Sequence, residues 1–410
     1  MEAMDLNEPV SKHFCFFIFN RATYSRIKVL IQRMSSSQYF KVSVVLSNSL
    51  LKEEYGNAQD YIKSSHENVS FHSLDVLHPG TTHFDSAMVA SEILRKCTEF
   101  LSKNVFDAVV VIADRFETLP AAMAASYLNI PLIHIQGGEI TGNIDEKVRH
   151  AVTKLSDYHL SATRLSKEYL VAMGEHVNRV SLVGCPSLDV VKSSGIKRYR
   201  DKKRYIVCIF HPETENTSEA YEQTRVVLSS ITDFCYKNKA YCYWYWPNPD
   251  PGREEILKLL EEAHKKYPAI LIKAVNKTPE AFLNQIAGCR FLVGNSSCLI
   301  REASYLGIPA INIGDRQRMR ERSWNVVDVD YDIDKILKVM EEQDNVFRYG
   351  KSFLYGNGEA SFHIMEILKR LQPTLKPSLQ YPLRAEFKDK HFGESRFEHH
   401  HQGRQKKRRV

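Results

Sequence analysis

The chain has 410 residues, of which 43% are hydrophobic and 10% aromatic, values typical of a globular protein large enough for two domains. Its formal net charge is +7, but residues 384–410 hold nine Lys or Arg against four Asp or Glu, so the rest of the chain is nearly neutral. This distribution argues against a nucleic-acid-binding protein, whose folded body would carry a basic face.

The sequence gives no sign of membrane insertion, secretion or metal binding. Its apolar runs, such as residues 14–19, have the length of strands and are too short to cross a bilayer. The first residues lack a basic region followed by an apolar one, so we expect a cytoplasmic protein. The eight cysteines are scattered singly, which predicts buried, reduced thiols and neither a disulfide nor a zinc site.

Strands and helices alternate from the start of the chain. Residues 13–20 read as an apolar strand, and apolar residues at 27, 30, 31 and 34 then recur at helical spacing. Arg21 follows the strand directly and is expected in the crevice above it. A second strand is predicted at 41–46 and a helix at 88–103.

The most informative stretch is 108–163. A short Val-rich run at 108–112 predicts a buried parallel strand, and Asp114 and Arg115 follow it at once. An Ala-rich helix, a strand at 131–135 and the segment Gln136-Gly137-Gly138-Glu139 come next, and a polar loop, a helix and a strand complete the stretch. Open parallel sheets bind ligands at the carboxyl ends of their strands, so the candidate site is placed here.

A second series of strands and helices begins after a break at 184–187. Strands are predicted at 205–210, 241–246, 269–273, 291–293 and 309–313. The sequence therefore predicts an α/β fold with two doubly wound Rossmann-like domains facing a cleft. The predicted bounds are 1–185 and 186–375, and residues 376–410 are predicted to form a basic, disordered tail.

Several polar residues follow the predicted strands of the second series. Ser296 and Ser297 precede a helix, where backbone N–H groups and hydroxyls suit a phosphate, although a plain helix cap is the alternative. Arg316 follows the next strand, and with Arg21 it is a further candidate for a diphosphate contact. His211 can donate to a leaving phosphate or have a structural role. The residues alone thus predict a nucleoside diphosphate between two domains and no particular reaction.

Carboxylates gather in the first series. Asp114 and Arg115 can form a simple buried ion pair. Asp145 and Arg149 are spaced i, i+4 and therefore share a helix face. This spacing is equally consistent with a structural ion pair on the helix surface.

A set of motifs resembles one family. The motifs are NRATYS (20–25), YGN (55–57), DRFE (114–117), HIQGGEITGNIDEKVRHAVTKL (134–155), GCPS (184–187), HPET (211–214), GNSSCLIREASYLGIPAIN (294–312) and DRQRMRE (315–321). In this order they resemble the hydrolysing UDP-N-acetylglucosamine 2-epimerases, which begin bacterial sialic-acid synthesis and form half of an animal bifunctional enzyme.

The resemblance implies a fold like that of GT-B glycosyltransferases and a defined reaction. UDP-GlcNAc and water would give UDP and N-acetylmannosamine, by anti elimination of UDP to 2-acetamidoglucal and then hydration, as the first step of sialic-acid synthesis. Such an enzyme is a hydrolase that needs no cofactor and no metal. Its expected partner besides the UDP-sugar is a second copy of itself, in a homodimer or homotetramer.

The resemblance also implies roles for individual residues. The carboxylates would stabilise a cationic sugar and move the C2 proton, and Arg149 would hold Asp145 in place. A second set of residues would bind UDP. The catalytic set is Asp114, Gln136, Glu139, Asp145, Arg149 and His211, and the UDP-binding set is Arg21, Arg115, Ser296, Ser297, Glu302 and Arg316.

Two positions depart from the family pattern. Gln136 stands where the family carries a Glu of its acid/base set, and an amide cannot transfer a proton as a carboxylate does. Either Glu139 supplies the group, or the chain belongs to a branch with a different acid/base arrangement or sugar, or its activity is low. The second departure is Ala113, where the family has Gly.

Four alternatives stay open at this point. The same chemistry on UDP-2,4-diacetamido-2,4,6-trideoxyglucose, on the route to legionaminic acid, would use similar motifs. A retaining glycosyltransferase would share the fold, but the carboxylate-rich motifs count against it. A non-hydrolysing epimerase fits the HIQGGE motif less well, and Gln136 leaves room for an inactive protein that only binds UDP-sugars.

Overall fold

The computed structural model describes residues 11–52, 58–76, 80–142, 144–197, 199, 204–274 and 277–377. The YGN motif at 55–57 and nearly all of the predicted tail lie outside these residues.

The first half of the molecule, residues 11–183, is built around one parallel sheet with helices on both faces. Its strands are β1 (Lys12–Ile18), β2 (Phe40–Ser47), β3 (Val69–Leu74), β4 (Ala108–Ile112), β5 (Leu132–Ile135), β6 (Tyr158–Ser161) and β7 (Val180–Leu182). Its helices are α1 (Arg21–Ser35), α2 (Ala58–Ser64), α3 (His83–Leu101), α4 (Thr118–Tyr127), α5 (Ile144–Leu155) and α6 (Arg164–Ala172). The strand order is β3-β2-β1-β4-β5-β6-β7, and every neighbouring pair is parallel.

The second half, residues 187–355, repeats the plan with a six-stranded parallel sheet. Its strands are β8 (Tyr205–Ile209), β9 (Tyr241–Tyr245), β10 (Leu271–Ala274), β11 (Leu292–Gly294), β12 (Ala310–Ile313) and β13 (Val326–Val329), in the order β10-β9-β8-β11-β12-β13. Its helices are α7 (Ser187–Ser193), α8 (Ala220–Asn238), α9 (Arg253–Lys266), α10 (Pro279–Gly288), α11 (Glu302–Leu306) and α12 (Ile333–Asn345), and α13 (Ala360–Arg370) follows. The predicted fold class, two doubly wound parallel sheets, is confirmed.

The composition of the central elements explains the packing. All five residues of β4 are buried, as expected for a strand covered by helices on both faces. Ala121, Ala122, Ala124 and Ala125 of α4 are fully buried, because their small side chains let the helix lie close to the sheet. This close approach fixes the turn between β4 and α4, where Asp114 lies.

The chain passes between the two halves twice, at one place. The first passage contains Gly184 and Cys185, and the second contains Tyr355 and Gly356. The Cys185 N–H donates to the Tyr355 carbonyl oxygen at 2.7 Å, and a β-carbon on Gly356 would lie 3.1 Å from the Cα of Gly184. Two residues without side chains therefore let the passages touch.

Helix α13 returns to the first half after the second passage. Ile364 and Leu368 are buried in the core cluster that contains Phe14, Leu30 and Val44. The helix lies within the predicted second domain of 186–375, yet its apolar face belongs to the first core. The predicted bounds themselves stay a prediction. No helix within the described ranges is both long and apolar enough to span a membrane.

Candidate functional site

The order of the strands selects one crevice in each half. In the first sheet the order reverses between β1 and β4, and in the second between β8 and β11. Ligands of doubly wound sheets bind outside the carboxyl ends of the strands at such reversals. Arg21 follows β1, Asp114 follows β4, His211 follows β8 and Ser296 follows β11, so the predicted residues stand at both reversals.

A cleft of about 430 Å³ lies between the two halves and is lined by side chains from both. Five of the predicted residues line it, together with an aromatic group and a basic side chain that the sequence analysis did not single out. The predicted ones are Arg21, His211, Ser296, Ser297 and Glu302, and the additional ones include Arg26, Tyr245, Trp246 and Phe282. The volume and the mixed lining suit a small polar ligand with a planar part.

Three further predicted residues, Asp114, Glu139 and Arg149, form a buried ionic network beside the cleft with Arg301 and Arg320, which the sequence analysis did not single out. These five residues are here called the arginine–carboxylate cluster. Arg149 is fully buried on α5 and donates to Asp114 Oδ2 from Nε at 3.1 Å and from Nη2. Burial opposes ionisation of Asp114, but Arg149, Arg320 and Arg26 outweigh it and hold the pKa of this carboxyl well below its usual range. Asp114 is therefore an anion at every physiological pH.

Glu139 receives two arginines from the other half of the molecule. Arg301 Nη2 lies 2.6 Å and Arg320 Nε 2.8 Å from Glu139 Oε2. Although burial favours the protonated form, these cations lower the pKa of Glu139 to about 2. A carboxylate held in this way is a poor proton acceptor, which weakens the hypothesis that Glu139 replaces the missing acid/base group.

Asp145 differs from both of these carboxylates. Arg316 Nη2 lies 3.7 Å from Asp145 Oδ2, and Asp114 and Asp250 contribute negative charge nearby. Burial and the charge of Asp114 raise the pKa of Asp145 to about 6. A group with this pKa changes its protonation state easily near neutral pH, as a general acid or base must.

Arg149 has a different partner from the one that the resemblance implies. Its hydrogen bonds go to Asp114, to the backbone oxygen of Glu139 and to the Thr141 hydroxyl at 3.3 Å. Asp114 likewise pairs with Arg149 and not with its neighbour Arg115. The shared helix face of Asp145 and Arg149 is present, but the side chain of Arg149 extends to the sheet.

Gln136 ends β5 with a left-handed backbone, φ = 66°, and is buried. Its amide Nε2 lies 2.8 Å from the Cys185 sulfur, while its Oε1 is buried and has no hydrogen-bond partner within the described residues. Ala113 also has a left-handed backbone, φ = 61°. Glycine adopts this conformation without strain, which explains why a family would carry Gly there.

His211 is held at three points by the second half. Its backbone N–H donates to Asn295 Oδ1 at 2.8 Å, and the Asn295 amide donates back to its carbonyl oxygen at 2.8 Å. The Asn248 N–H donates to His211 Nδ1 at 3.2 Å, which leaves the ring proton on Nε2. Burial and the charge of Arg316 lower the pKa of His211 to about 3, so the ring is neutral.

The remaining predicted residue, Arg115, lies between the halves. Its Nε is 3.2 Å from Glu117 Oε2, and its Nη1 donates to Asp250 Oδ1. Arg316 donates to the Asn295 carbonyl oxygen at 3.4 Å, next to Ser296. The twelve predicted residues thus fall into two adjacent groups, one lining the cleft and one beside it.

Sequence reasoning missed four charged residues of this region: Arg26, Asp250, Arg301 and Arg320. Arg301 and Arg320 stand inside quoted motifs, but nothing in their spacing shows that both reach Glu139, which is 162 residues from Arg301. Arg26 Nη2 lies 3.5 Å from the Ser297 hydroxyl, again across the two halves. Within the described residues, no three His, Cys, Asp or Glu side chains converge as metal ligands do.

Comparison with known proteins identifies the family. The family model described as UDP-N-acetylglucosamine 2-epimerase matches residues 32–369. The chain belongs to the UDP-N-acetylglucosamine 2-epimerase family.

Individual members of this family show how far the similarity extends. The chain is 31% identical over 360 residues to the UDP-N,N'-diacetylbacillosamine 2-epimerase (hydrolyzing) of Legionella pneumophila, covering 86% of this chain and 94% of that one. It is also 31% identical over 346 residues to the polysialic acid biosynthesis protein P7 of Escherichia coli, covering 82% and 87%.

A solved structure supports the fold. The UDP-GlcNAc 2-epimerase of Methanocaldococcus jannaschii, crystallised with UDP-GlcNAc and UDP, matches with a TM-score of 0.73 at 18% identity, over 87% of this chain and 99% of that one. The two-sheet arrangement of this chain is therefore the arrangement of its family.

Proposed function

We propose that this protein is a hydrolysing 2-epimerase that converts UDP-GlcNAc and water into UDP and N-acetylmannosamine, the first step of sialic-acid synthesis. The observation that carries the proposal is the place of Arg316. Its guanidinium lies beside Asp145, whose pKa is about 6, and also contacts the loop that begins with Asn295 and Ser296. A group able to move a proton is thereby joined to a loop suited to a diphosphate.

UDP is proposed to bind where the cleft residues converge. The diphosphate would accept hydrogen bonds from the hydroxyls of Ser296 and Ser297 and from the Nε2–H of neutral His211. Arg21 and Arg316 would neutralise its charge, and the uracil and ribose would occupy the aromatic part of the cleft near Glu302. Donors that are already in place stabilise the charge that develops on a leaving group, which lowers the barrier to its departure.

The first chemical step is elimination. The bond between C1 and the diphosphate oxygen breaks, UDP takes the electron pair, and the sugar gains cationic character that the permanent anion Asp114 stabilises. The ionised carboxylate of Asp145 takes the proton from C2, and the C–H electrons form the double bond of 2-acetamidoglucal. Asp145 suits this role because it is largely ionised at neutral pH and still basic.

The second step is hydration with the opposite configuration at C2. Water adds its hydroxyl to C1 and releases its second proton to solvent, while the electrons of the double bond take up a proton from solvent at C2 on the other face, which gives N-acetylmannosamine. Protonated Asp145 returns its proton to solvent and is ready for the next cycle. Within this scheme Arg149 and Arg320 keep Asp114 charged, and Arg301 keeps Glu139 charged. Gln136 cannot exchange protons and is assigned to substrate positioning through its amide.

A second substrate is supported by one relative. The Legionella protein, similar over 94% of its length, is named for a diacetylbacillosamine sugar. The same elimination and hydration on UDP-2,4-diacetamido-2,4,6-trideoxyglucose would use the same carboxylates and the same UDP site. The Gln at position 136 favours testing this sugar, since the resemblance assigns the Glu at this position to the acid/base set that acts on the sugar.

The deciding experiment follows the reaction in deuterated water by proton NMR. We expect UDP-GlcNAc to yield free UDP and N-acetylmannosamine carrying deuterium at C2. Product from the diacetamido sugar alone would transfer the proposal to that substrate. Tight UDP binding without UDP release from either sugar would contradict both and indicate a protein that only binds UDP-sugars.

Two variants sharpen the test. Gln136→Glu restores the family carboxylate. A rise in turnover with unchanged UDP affinity would show that the wild-type enzyme is active and that Gln136 makes it slow. Asp60→Asn changes an exposed aspartate on α2 and should leave product formation unchanged. Light scattering of the purified protein checks the expected homo-oligomer, and activity after dialysis checks the expected independence of a cofactor. Fractionation of cells that produce the protein checks the expected cytoplasmic location.

A further inference from the structure

A buried ion pair joins the two halves beside the candidate site. Asp250 lies in the loop between β9 and α9 and is only 4% exposed. Its Oδ1 accepts a hydrogen bond from Arg115 Nη1, and the same guanidinium contacts Glu117 of the first half. The cation of Arg115 is therefore held between two carboxylates, one from each half.

Asp250 is not fully satisfied by this pair. Its second oxygen, Oδ2, is buried and has no hydrogen-bond partner within the described part of the chain. A buried carboxylate oxygen without a partner costs stability, and such groups in native proteins call for an explanation outside packing. The cost is consistent with a residue that is kept for the charge it places at this point.

The loop of Asp250 also orients His211. The Asn248 N–H donates to His211 Nδ1 at 3.2 Å, and the Asp250 N–H donates to the Asn248 carbonyl oxygen at 2.8 Å. One short loop thus carries both the carboxylate that faces Arg115 and the donor that fixes the histidine tautomer.

The charges that face Asp145 come from both halves of the molecule. Asp114 and Arg115 follow β4, Arg149 is on the same helix, Arg316 follows β12 and Asp250 precedes α9. Asp114 and Asp250 favour the protonated form of Asp145, whereas Arg115 and Arg316 favour the ionised form. The second half supplies both the cation of Arg316, 3.7 Å from Asp145, and the smaller negative contribution of Asp250, so the charge that faces Asp145 depends on both halves being in contact.

We propose that Asp250 is a positioning residue of the reaction: its ion pair with Arg115 joins the halves across the cleft and sets the charge that faces Asp145. The inference rests on the proposed function, in which Asp145 moves the C2 proton. It adds a residue outside the motifs that carried the resemblance.

The experiment measures Asp145 directly and does not depend on turnover. Aspartate labelled with ¹³C at the carboxyl is incorporated into the full chain, the Asp145 signal is assigned by its loss in Asp145→Asn, and its titration is followed by NMR. Asp250→Asn keeps the shape and the acceptor for Arg115 but removes the charge. We expect the pKa of Asp145 to fall by roughly half a unit to one unit in this variant.

Arg115→Gln gives the opposite sign and remains informative should Asp250→Asn fail to fold. Loss of the cation should raise the pKa of Asp145 by a similar amount, roughly half a unit or more. Asp250→Glu retains the charge and should restore the wild-type titration. The matched control is Glu280→Gln, which removes another ion pair between the halves, Lys28 to Glu280 at 2.6 Å, and should leave Asp145 unchanged.

Kinetics provide the second readout. The acid limb of the pH dependence of kcat for UDP release should move with the titration, to lower pH in Asp250→Asn and to higher pH in Arg115→Gln. Superimposable titrations of wild type and both variants would overturn the proposal. Absence of turnover in the wild type would instead contradict the proposed function, while the shifts in the titration would still stand.

Discussion

The arginine–carboxylate cluster and the cleft beside it differ in how their charged groups are paired. In the cluster, Asp114 and Glu139 are each held by buried arginines, and neither carboxylate is available as a proton acceptor. In the cleft, hydroxyls, His211 and Arg21 line an open space of about 430 Å³. The carboxylates of the cluster are compensated by arginines of the protein, whereas the cleft is complementary to a negative charge that a ligand would bring.

Asp145 lies at the boundary of these regions, and its environment shows what the difference achieves. It is close enough to Asp114 for its pKa to rise, and it faces Arg316 from the cleft side. Two carboxylates whose environments drive their pKa values apart are typical of acid/base pairs. The charges of the cluster are therefore fixed. Burial and the charge of Asp114 raise the pKa of Asp145, which can gain and lose a proton near neutral pH.

The strongest test removes the centre of the cluster. Arg149→Met leaves Asp114 buried without its main partner, and breaking such a pair costs about 3–5 kcal/mol of unfolding free energy. We expect this loss in denaturant unfolding, together with loss of UDP release. Arg95→Met, which removes a surface arginine that is 53% exposed, should leave the free energy of unfolding almost unchanged. Equal losses for the two variants would contradict the expected penalty for leaving Asp114 buried without Arg149.

The next test acts on the boundary residue. Asp145→Asn should lower kcat by roughly 10²–10⁴-fold, because a positioned acid/base group contributes that much, while UDP affinity stays within about threefold. Activity is measured by UDP release and affinity by calorimetry. A variant that keeps wild-type kcat would assign the proton transfer to another group.

The same variant tests the raised pKa through stability. In the folded protein Asp145 has a pKa of about 6, above its ordinary 3.8, so the folded state binds this proton more tightly than the unfolded state. Its contribution to stability is therefore present at low pH and is lost as the pH rises from 3.8 to about 6. Asp145→Asn should gain stability relative to wild type across this window, and a constant difference would contradict the raised pKa.

A smaller effect is expected in the cleft. Ser297→Ala removes one hydroxyl from the proposed diphosphate site, and a lost hydrogen bond to a charged group costs about 1.5–3 kcal/mol, or roughly 10- to 150-fold in UDP affinity. Stability should remain unchanged, since the cleft is open. Ser193→Ala, an exposed position on α7, is the matched control. A stability loss without an affinity loss would identify Ser297 as a plain helix cap.

The smallest effect concerns the turn that carries Asp114. Ala113 has φ = 61°, where glycine is unstrained, so Ala113→Gly should raise the free energy of unfolding by about 0.5–1 kcal/mol. Ala124→Gly, inside α4, should lower it by about 1 kcal/mol because glycine weakens a helix interior. Thermal unfolding distinguishes these opposite signs, and a loss in both variants would show that packing of the Ala113 methyl group outweighs backbone strain.

Most strands could be predicted from the sequence, including the edge strand β10, but two other edge strands could not. β4 and β5 are fully buried short runs, so their composition alone sets them apart. β3 and β13 lie at sheet edges with half-exposed residues, where an apolar pattern is diluted, and the sequence analysis missed both. Helix α12 was missed with β13.

The position of a residue in the site could also be predicted better than its hydrogen-bond or ion-pair partner. Residues that follow parallel strands share an edge of the sheet, so the placement of Asp114 and His211 followed from the pattern. The partner of Arg149 did not, because helical spacing specifies a face and Asp114 lies 35 residues away across the sheet. The arginines that hold Glu139 come from the other half, whose orientation no local pattern encodes.

The position of helix α13 has a consequence for folding during synthesis. Its Ile364 and Leu368 complete the core around β1 and β2, although more than three hundred residues separate them along the chain. Chains emerge from the ribosome with the amino terminus first, and domains generally fold as units when their residues are available. The half whose synthesis starts first therefore cannot complete its core until α13 has been synthesised.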